Sequence, residues 1–216
     1  VALQVQDKEN IRKALLNFFH FQGEDGNIID GYIPAESANV GYDYYLSTTR
    51  PTLRGHKNTV ETDQEASLIQ AIYKYIAVTG DSSFLATIIN GKTVTERMHD
   101  ALTFLLTHRF DNQSGLIWGA TAVDWGDVQP EHSWGVALDE SSHRCIDIYD
   151  NAMFLIAVDN YLELTMAKEN ELRKSARMIR NNVRAHLWDA ERQKFRPHIY
   201  IDESPFPAWF DEERIH

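Results

Sequence analysis

The chain has 216 residues, of which 43% are hydrophobic and 25% charged, the composition of an ordinary globular protein. Its formal net charge of −11 argues against a nucleic-acid backbone or an anionic membrane surface as a partner. Its apolar runs fall far short of the roughly 20 residues that a membrane span needs, and its single cysteine, Cys145, excludes an internal disulfide. The absence of linkers or low-complexity stretches favours one domain over residues 1–216.

Helical spacing of apolar residues predicts five helices. In chain order they cover residues 7–20, 62–78, 93–108, 149–166 and 169–188. In the second, Ile72 and Ile76 lie on the apolar face and Gly80 ends the helix. Residues 21–58 are rich in turn-forming types and predict a loop with short extended pieces. Residues 110–147 show no periodicity, and such a long loop is more often functional than not.

The chain contains an internal repeat, in which each copy is a helical hairpin followed by a short extended tail. The tail of the first copy covers residues 109–118 and that of the second covers residues 187–196. The two copies align when Asp111 is placed on Asp189. Repeated helical hairpins form stacked arrays or closed rings.

In such an array one helix of each hairpin is inner and the other is outer, and successive inner helices run parallel. The loops before Asp63 and before Asp150 therefore open on one face, toward which the positive ends of the helix dipoles point. Both loops are polar and rich in aromatic residues, which can stack on neutral sugars. The layout predicts a binding site at that end of the array.

The strongest group of chemically capable residues lies between positions 118 and 134. Asp-Trp-Gly-Asp at 124–127 places two carboxylates around one indole, and glycosidic cleavage needs a protonated carboxyl beside the leaving oxygen together with a second carboxylate or a phosphate. The alternative is structural, with aspartates that cap turns and an indole that fills a gap. The candidate catalytic residues are Asp127 and Asp124, and the candidate substrate-binding residues here are Trp118, Trp125 and Trp134.

A second group lies just before the predicted inner helices. Glu61 and Asp63 precede the helix at 62–78 and are candidates to accept hydrogen bonds from sugar hydroxyls. The alternative is that Thr62 or Asp63 only caps the helix. Glu140 lies before the next predicted inner helix and is a candidate to line the same binding site. Asp150 is a candidate N-cap of that helix.

Metal and cofactor chemistry find no support in the sequence. The nine histidines form no His-x-x-x-His pair, and the lone cysteine lacks a partner for a metal site. No Gly-x-Ser-x-Gly elbow or phosphate-cradling loop is present. We therefore predict neither a metal nor a cofactor.

Two stretches resemble the six-hairpin glycosidases. Residues 61–85, with an acidic residue that opens a helix ending in Tyr and a Thr-Gly-Asp turn, are similar to a signature of that superfamily. Residues 124–127 resemble the Asp-Trp-Asn-Asp loop of the disaccharide phosphorylases, and alpha-L-rhamnosidases have a related stretch. The resemblance, which extends to glucosidases of the superfamily, implies an all-α fold, the (α/α)6 toroid of helical hairpins.

The resemblance also implies roles for single residues. Asp127 corresponds to the general acid, Trp125 to a wall of the sugar subsite and Asp63 to a ligand of sugar hydroxyls. Position 126 is Gly where the phosphorylases have Asn, a departure that weakens the phosphorylase assignment. The chain supplies about half the helices of a complete ring, and residues 209–216 read as a loop that has been cut. We therefore expect an incomplete barrel, truncated at its C-terminal end, whose exposed apolar faces favour self-association.

Our first hypothesis is an inverting glycoside hydrolase that acts on a neutral oligosaccharide or glycoside. Asp127 would protonate the glycosidic oxygen, with its pKa raised by Trp125 and Asp124. The base would be a carboxylate outside this chain or, failing that, Glu61 or Glu140.

The alternative is a non-catalytic helical-hairpin module that binds carbohydrate or a protein partner. If the chain is an enzyme, we expect Asp63, Trp118, Trp125 and Asp127 to share one concave pocket. If it is a scaffold, the same residues are expected to scatter over an outer surface. The compartment stays open on either hypothesis.

Overall fold

The computed structural model describes residues 7–57, 59–120, 138–140, 142–167, 171–204 and 209. Within this part the helices are α1 (Lys8–His20), α2 (Gln64–Thr79), α3 (Val94–His108), α4 (Ile148–Thr165) and α5 (Glu171–His186). All five predicted helices are confirmed, with ends shifted by no more than a turn. None of the helices in the described part is both long and apolar enough to cross a membrane.

Short antiparallel pairs of strands link the helices. They join β1 (Gly31–Pro34) to β2 (Leu53–His56), β3 (Ile88–Ile89) to β4 (Lys92–Thr93), β5 (Phe110–Asp111) to β6 (Leu116–Ile117), β7 (Cys145–Asp147) to β10 (His198–Tyr200), and β8 (Trp188–Asp189) to β9 (Lys194–Phe195). The predicted all-α class is therefore right for the main elements and omits these small sheets. Strands of two to four residues are too short to show an alternating pattern in the sequence.

The helix ends follow local rules. α2 ends at Gly80, which adopts the left-handed conformation with φ 69°, as its sequence predicted. α3 begins with a capping box, in which Thr93 and Glu96 satisfy each other's backbone N–H groups. α4 is capped by Asp147, whose side chain accepts a hydrogen bond from the Asp150 N–H. The prediction that Asp150 is the cap is therefore wrong by one turn.

α2 lies at the centre of the described part, where it packs against α1, α3 and α4, while α5 packs against α4. Their apolar faces form one continuous core. The largest fully buried side chains include Phe19, Ile72, Tyr75, Phe84, Met98, Leu102 and Phe154. Burial of these side chains supplies the main driving force for folding.

The predicted internal repeat is present as two matching β-hairpins. The β5–β6 pair follows α3 and the β8–β9 pair follows α5, each with a four-residue turn between its strands. Gly115 (φ 66°) and Gln193 (φ 55°) occupy the same left-handed position of their turns. The two hairpins thus provide two versions of one structure within a single chain.

Candidate functional site

Asp63 joins the N-termini of α2 and α4. It occupies the N-cap position of α2, yet its side chain makes no capping hydrogen bond. Its Oδ2 instead accepts hydrogen bonds from the Tyr149 hydroxyl at 2.9 Å and from the Ser67 hydroxyl at 3.1 Å. Tyr149 belongs to the first turn of α4. The two N-termini therefore meet, as the sequence analysis expected. The alternative that the Asp63 side chain caps α2 is wrong, because that side chain makes no capping hydrogen bond.

Glu61 and Asp63 line the same cleft, which has a volume of about 310 Å³. The Gln64 side chain also lines this cleft and donates a hydrogen bond to Glu61 Oε2 at 2.8 Å. Apolar side chains of α1 and α2, among them Phe18 and Leu68, form the remaining wall. We call this space the acidic cleft. Its carboxylates and apolar wall together resemble the lining of a site for a small polar ligand.

Both ends of the segment 121–137 are held beside the acidic cleft. The Ala120 N–H donates to the Val60 carbonyl at 3.2 Å, and the Leu138 N–H donates to the Thr59 hydroxyl at 2.7 Å. Residues 59 and 60 immediately precede Glu61. Asp124, Trp125, Asp127 and Trp134 lie outside the described residues, so their predicted roles stay predictions.

Two carboxyl groups, those of Asp147 and Asp150, are buried at the start of α4. Burial raises the pKa of Asp150 well above its usual range, and the negative charges of Asp147 and Asp63 raise it further. Burial also raises the pKa of Asp147, against the hydrogen bond that Asp147 accepts from the Asp150 N–H. The pair therefore holds a proton to higher pH than free aspartates do. The sequence analysis missed Asp147 as well as Tyr149, because the pattern placed the helix start nearer Asp150.

Gly119 allows the backbone to approach this pair. A Cβ atom at Gly119 would meet Asp150 Oδ2 at 2.9 Å and Thr62 Oγ1 at 3.4 Å. The Gly119 N–H donates to the Cys145 carbonyl, and the Thr62 hydroxyl donates to the Trp118 carbonyl. The segment that follows β6 and carries Trp118 is therefore fixed between the N-termini of α2 and α4.

A buried ion pair anchors the loop that leads to Glu61. Lys57 Nζ lies 3.1 Å from Glu65 Oε1, and the two side chains are 4% and 0% exposed. Lys57 also donates to the Ile28 carbonyl, and Arg109 donates to the Thr59 carbonyl. Burial lowers the pKa of Arg109, while the charges of Glu65 and Asp150 oppose that change. These contacts give the loop a defined position on α2.

Trp118 lies under two guanidinium groups and faces different space from the acidic cleft. The guanidinium carbon of Arg109 lies 4.8 Å from the centre of its ring, and that of Arg144 lies 5.4 Å away. Trp118 and Glu140 line a cleft of about 630 Å³. The described side chains therefore group as Glu61 with Asp63, and Trp118 with Glu140. In these clefts Asp63 and Trp118 do not share the single pocket that the enzyme hypothesis expects.

Residues 1–204 match the protein-family model described as the Glycosyl hydrolase 94 superfamily, catalytic domain. The chain belongs to this superfamily. No curated protein matches the chain. The glycosyl hydrolase 94 catalytic domain is a six-hairpin glycosidase domain, so the resemblance drawn from residues 61–85 and 124–127 is confirmed.

The described part of this glycosyl hydrolase 94 domain contains no cluster of three or more His, Cys, Asp or Glu side chains arranged to hold a metal ion. The groups that it does gather are carboxyl groups, a phenol and amides. These groups are suited to binding hydroxyls and moving protons. Membership of the superfamily makes the domain that of a carbohydrate-active enzyme.

Proposed function

We propose that the chain cleaves a glycosidic bond with inversion, and that Asp127 is the general acid. The main support is that both ends of the segment carrying Asp124 and Asp127 bind residues 59 and 60, beside the acidic cleft. Superfamily membership supplies the reaction class. We further propose that the helices form part of an (α/α) toroid, with α2 and α4 as inner helices.

Within this proposal the acidic cleft holds the sugar. Among the described residues, Tyr149 and Ser67 donate hydrogen bonds to the Asp63 side chain, both at Oδ2. In the proposal, Oδ1 accepts a hydrogen bond from a sugar hydroxyl. Trp125 and Trp134 would exclude water, and Trp118 and Glu140 would contact the more distant part of the substrate. Asp127 would donate its proton to the departing oxygen as the bond from that oxygen to the anomeric carbon breaks.

The attacking group is water in the hydrolase form of the proposal. A carboxylate on the opposite face of the sugar takes a proton from that water, and in inverting enzymes the two carboxyl groups lie about 6.5–9.5 Å apart. Glu61, Glu140 or a carboxylate outside this chain would fill this role. Phosphate is the second candidate, because superfamily members are often phosphorylases. Phosphate needs no base, since it attacks directly and yields a sugar 1-phosphate.

The test is turnover of aryl glycosides and disaccharides of alpha and beta gluco-, galacto-, manno- and rhamno-configuration, with and without inorganic phosphate. Asp127→Asn is expected to lower kcat by roughly 10²–10⁴-fold, the usual contribution of a general acid. Asp43→Asn, in an exposed loop, is the matched control and should leave kcat unchanged. NMR of the first product should show the inverted anomer.

Each outcome assigns one of the candidates. Turnover that needs phosphate and releases a sugar 1-phosphate would replace hydrolysis by phosphorolysis. Unchanged activity in Asp127→Asn would reject this residue as the acid. Saccharide binding without turnover of any substrate would favour the non-catalytic module.

A further inference from the structure

A polar turn held by side-chain hydrogen bonds stands at the edge of a second large cleft. The turn joins β5 to β6, and Asp111 Oδ2 accepts hydrogen bonds from both the N–H and the hydroxyl of Ser114. Asn182 on α5 donates to the Gly115 carbonyl at 3.2 Å. These contacts hold the turn on α5, while Asn112 and Gln113 at its tip are exposed.

The second hairpin shows which of these residues the turn itself requires. In the β8–β9 turn, Asp189 Oδ1 accepts hydrogen bonds from the N–H groups of Glu191 and Arg192, at 3.0 Å each. The aspartate is thus common to both turns and is explained by the fold. At the positions of Asn112 and Gln113, however, the second turn has Ala190 and Glu191. The two amides are therefore not required for the turn to form.

The cleft beside the first turn has a volume of about 710 Å³, within the usual range for small-molecule sites. Its lining residues include Asn112, Gln113, Trp118 and Tyr200, together with isoleucines from the β7–β10 pair. Side-chain amides each offer donors and an acceptor, the groups that match paired hydroxyls. We call this space the amide cleft.

The charges of the amide cleft favour a neutral ligand. Arg144 lines it, but donates two hydrogen bonds to Asp202, at 2.8 and 2.9 Å, which neutralise the guanidinium. Burial would raise the pKa of Asp111, but its hydrogen bonds from Ser114 hold that pKa below the usual value. Asp111 is therefore ionised at neutral pH, and its charge disfavours a phosphate or a sugar acid.

We propose that the amide cleft is a second carbohydrate site, which binds a neutral saccharide unit through Asn112 and Gln113. Trp118 lines both this cleft and the one that contains Glu140, so the site lies next to the substrate path. The class of ligand rests on the proposed function, because the same polar lining without it would fit other neutral polyols. The site then selects oligosaccharides that are longer than the portion held by the acidic cleft.

The experiment is calorimetric titration of the chain carrying Asp127→Asn, so that no saccharide is consumed. The probes are cellobiose, maltose, cellotetraose and maltotetraose. Replacing Asn112 and Gln113 by Ala is expected to weaken tetrasaccharide binding about tenfold, the loss expected for two net hydrogen bonds. Disaccharide binding is expected to stay unchanged.

Glu191→Ala provides the matched control, since it truncates the same position in the other hairpin. It should leave every affinity unchanged. Asn112→Ala copies the residue that the second turn has in Ala190, so the turn should still form, and circular dichroism verifies folding. Equal tetrasaccharide affinity with and without the two amides would overturn the proposal, as would no saturable binding of any probe.

Binding and turnover separate this proposal from the proposed function. Amide-dependent binding of the tetrasaccharides, together with no cleavage of any substrate by the parent chain, would support the amide cleft and reject the catalytic proposal. If cleavage of a tetrasaccharide depends on Asp127 and its KM is unchanged when Asn112 and Gln113 are replaced by Ala, the catalytic proposal is supported and the amide cleft is rejected.

Discussion

Asp150 shows how burial makes a single carboxyl sensitive to pH. Because burial and the charge of Asp147 raise its pKa in the folded state, the folded chain binds more protons than the unfolded chain above pH 4. The contribution to stability is therefore complete below the unfolded pKa and is lost as pH rises through the folded pKa. The protonated Asp150 carboxyl also forms a side-chain hydrogen bond with Asp147. Asp150→Asn removes the loss at high pH, and the new amide can donate in the same place. We expect the variant to be more stable than the parent at pH 8, with the difference shrinking toward pH 4 in urea titrations.

Asp111 provides a control, because its contribution to stability changes with pH in the opposite direction. Its pKa is lowered by the hydrogen bonds from Ser114, despite some burial, so its contribution is present above the unfolded pKa and is lost as pH falls. Asp111→Asn should accordingly be less stable than the parent at pH 8, with the difference shrinking at low pH. Parallel stability curves for Asp150→Asn and the parent from pH 4 to 8 would contradict the assignment of a raised pKa.

At the scale of elements, two glycines separate backbone strain from steric contact. Gly80 and Gly115 have nearly equal φ values, 69° and 66°. A Cβ atom at Gly80 would meet open space, whereas one at Gly115 would lie 2.3 Å from Asn182 Nδ2. Gly80→Ala should cost about 1–2 kcal/mol of unfolding free energy from strain alone. Gly115→Ala should cost about 1 kcal/mol more, because Asn182 must move and lose its hydrogen bond to the turn.

A double-mutant cycle checks this account of the β5–β6 turn. In the background of Asn182→Ala, the extra cost at Gly115 should vanish, so that Gly115→Ala costs about as much as Gly80→Ala. An extra cost that persists without Asn182 would mean that some other contact opposes the added methyl group. The free energies come from urea denaturation of the parent, Gly115→Ala, Asn182→Ala and the double variant, with Gly80→Ala measured alongside.

The elements also show what the sequence can and cannot reveal. All five helices could be predicted because each has an apolar face that repeats with the helical period. The small sheets could not, since strands such as β5 and β8 have two residues each. The role of Asp63 was hidden for a different reason. Its partner Tyr149 lies 86 positions away in the chain, and no local pattern indicates a hydrogen bond between residues so far apart in sequence.

The candidate site was predicted in outline and missed in part. The repeat of hairpins indicated that the loops before α2 and α4 meet at one end, and the contact between Asp63 and Tyr149 bears this out. Glu61 and Asp63 do share a cleft, whereas Trp118 lines two others. The buried pair of Lys57 and Glu65 and the carboxyls at the start of α4 arise from tertiary packing, which has no signature in the sequence.

For the whole molecule, the hairpin layout places the long and the short connections at opposite ends of the helices. The connections from α1 to α2 and from α3 to α4 are long and carry the acidic cleft, Trp118 and the candidate catalytic loop. The connection from α2 to α3, residues 80–93, is short and lies at the other end of the helices. Under the proposed function, the groups that bind and react with the substrate lie at the end of the helices that carries the long connections.

Hydrogen exchange measures this division directly. Ligand at 100 times its Kd stabilises the bound state by about 2.7 kcal/mol, so amides that exchange through opening of the site should slow about 100-fold. In the Asp127→Asn chain saturated with a gluco-tetrasaccharide, we expect this slowing at residues 59–63, 112–119 and 145–150. Amides of residues 80–93 that exchange by local opening should keep their rates. Equal slowing at both ends would mean that the ligand stabilises the fold as a whole, and slowing confined to 80–93 would place the binding end opposite to Asp63.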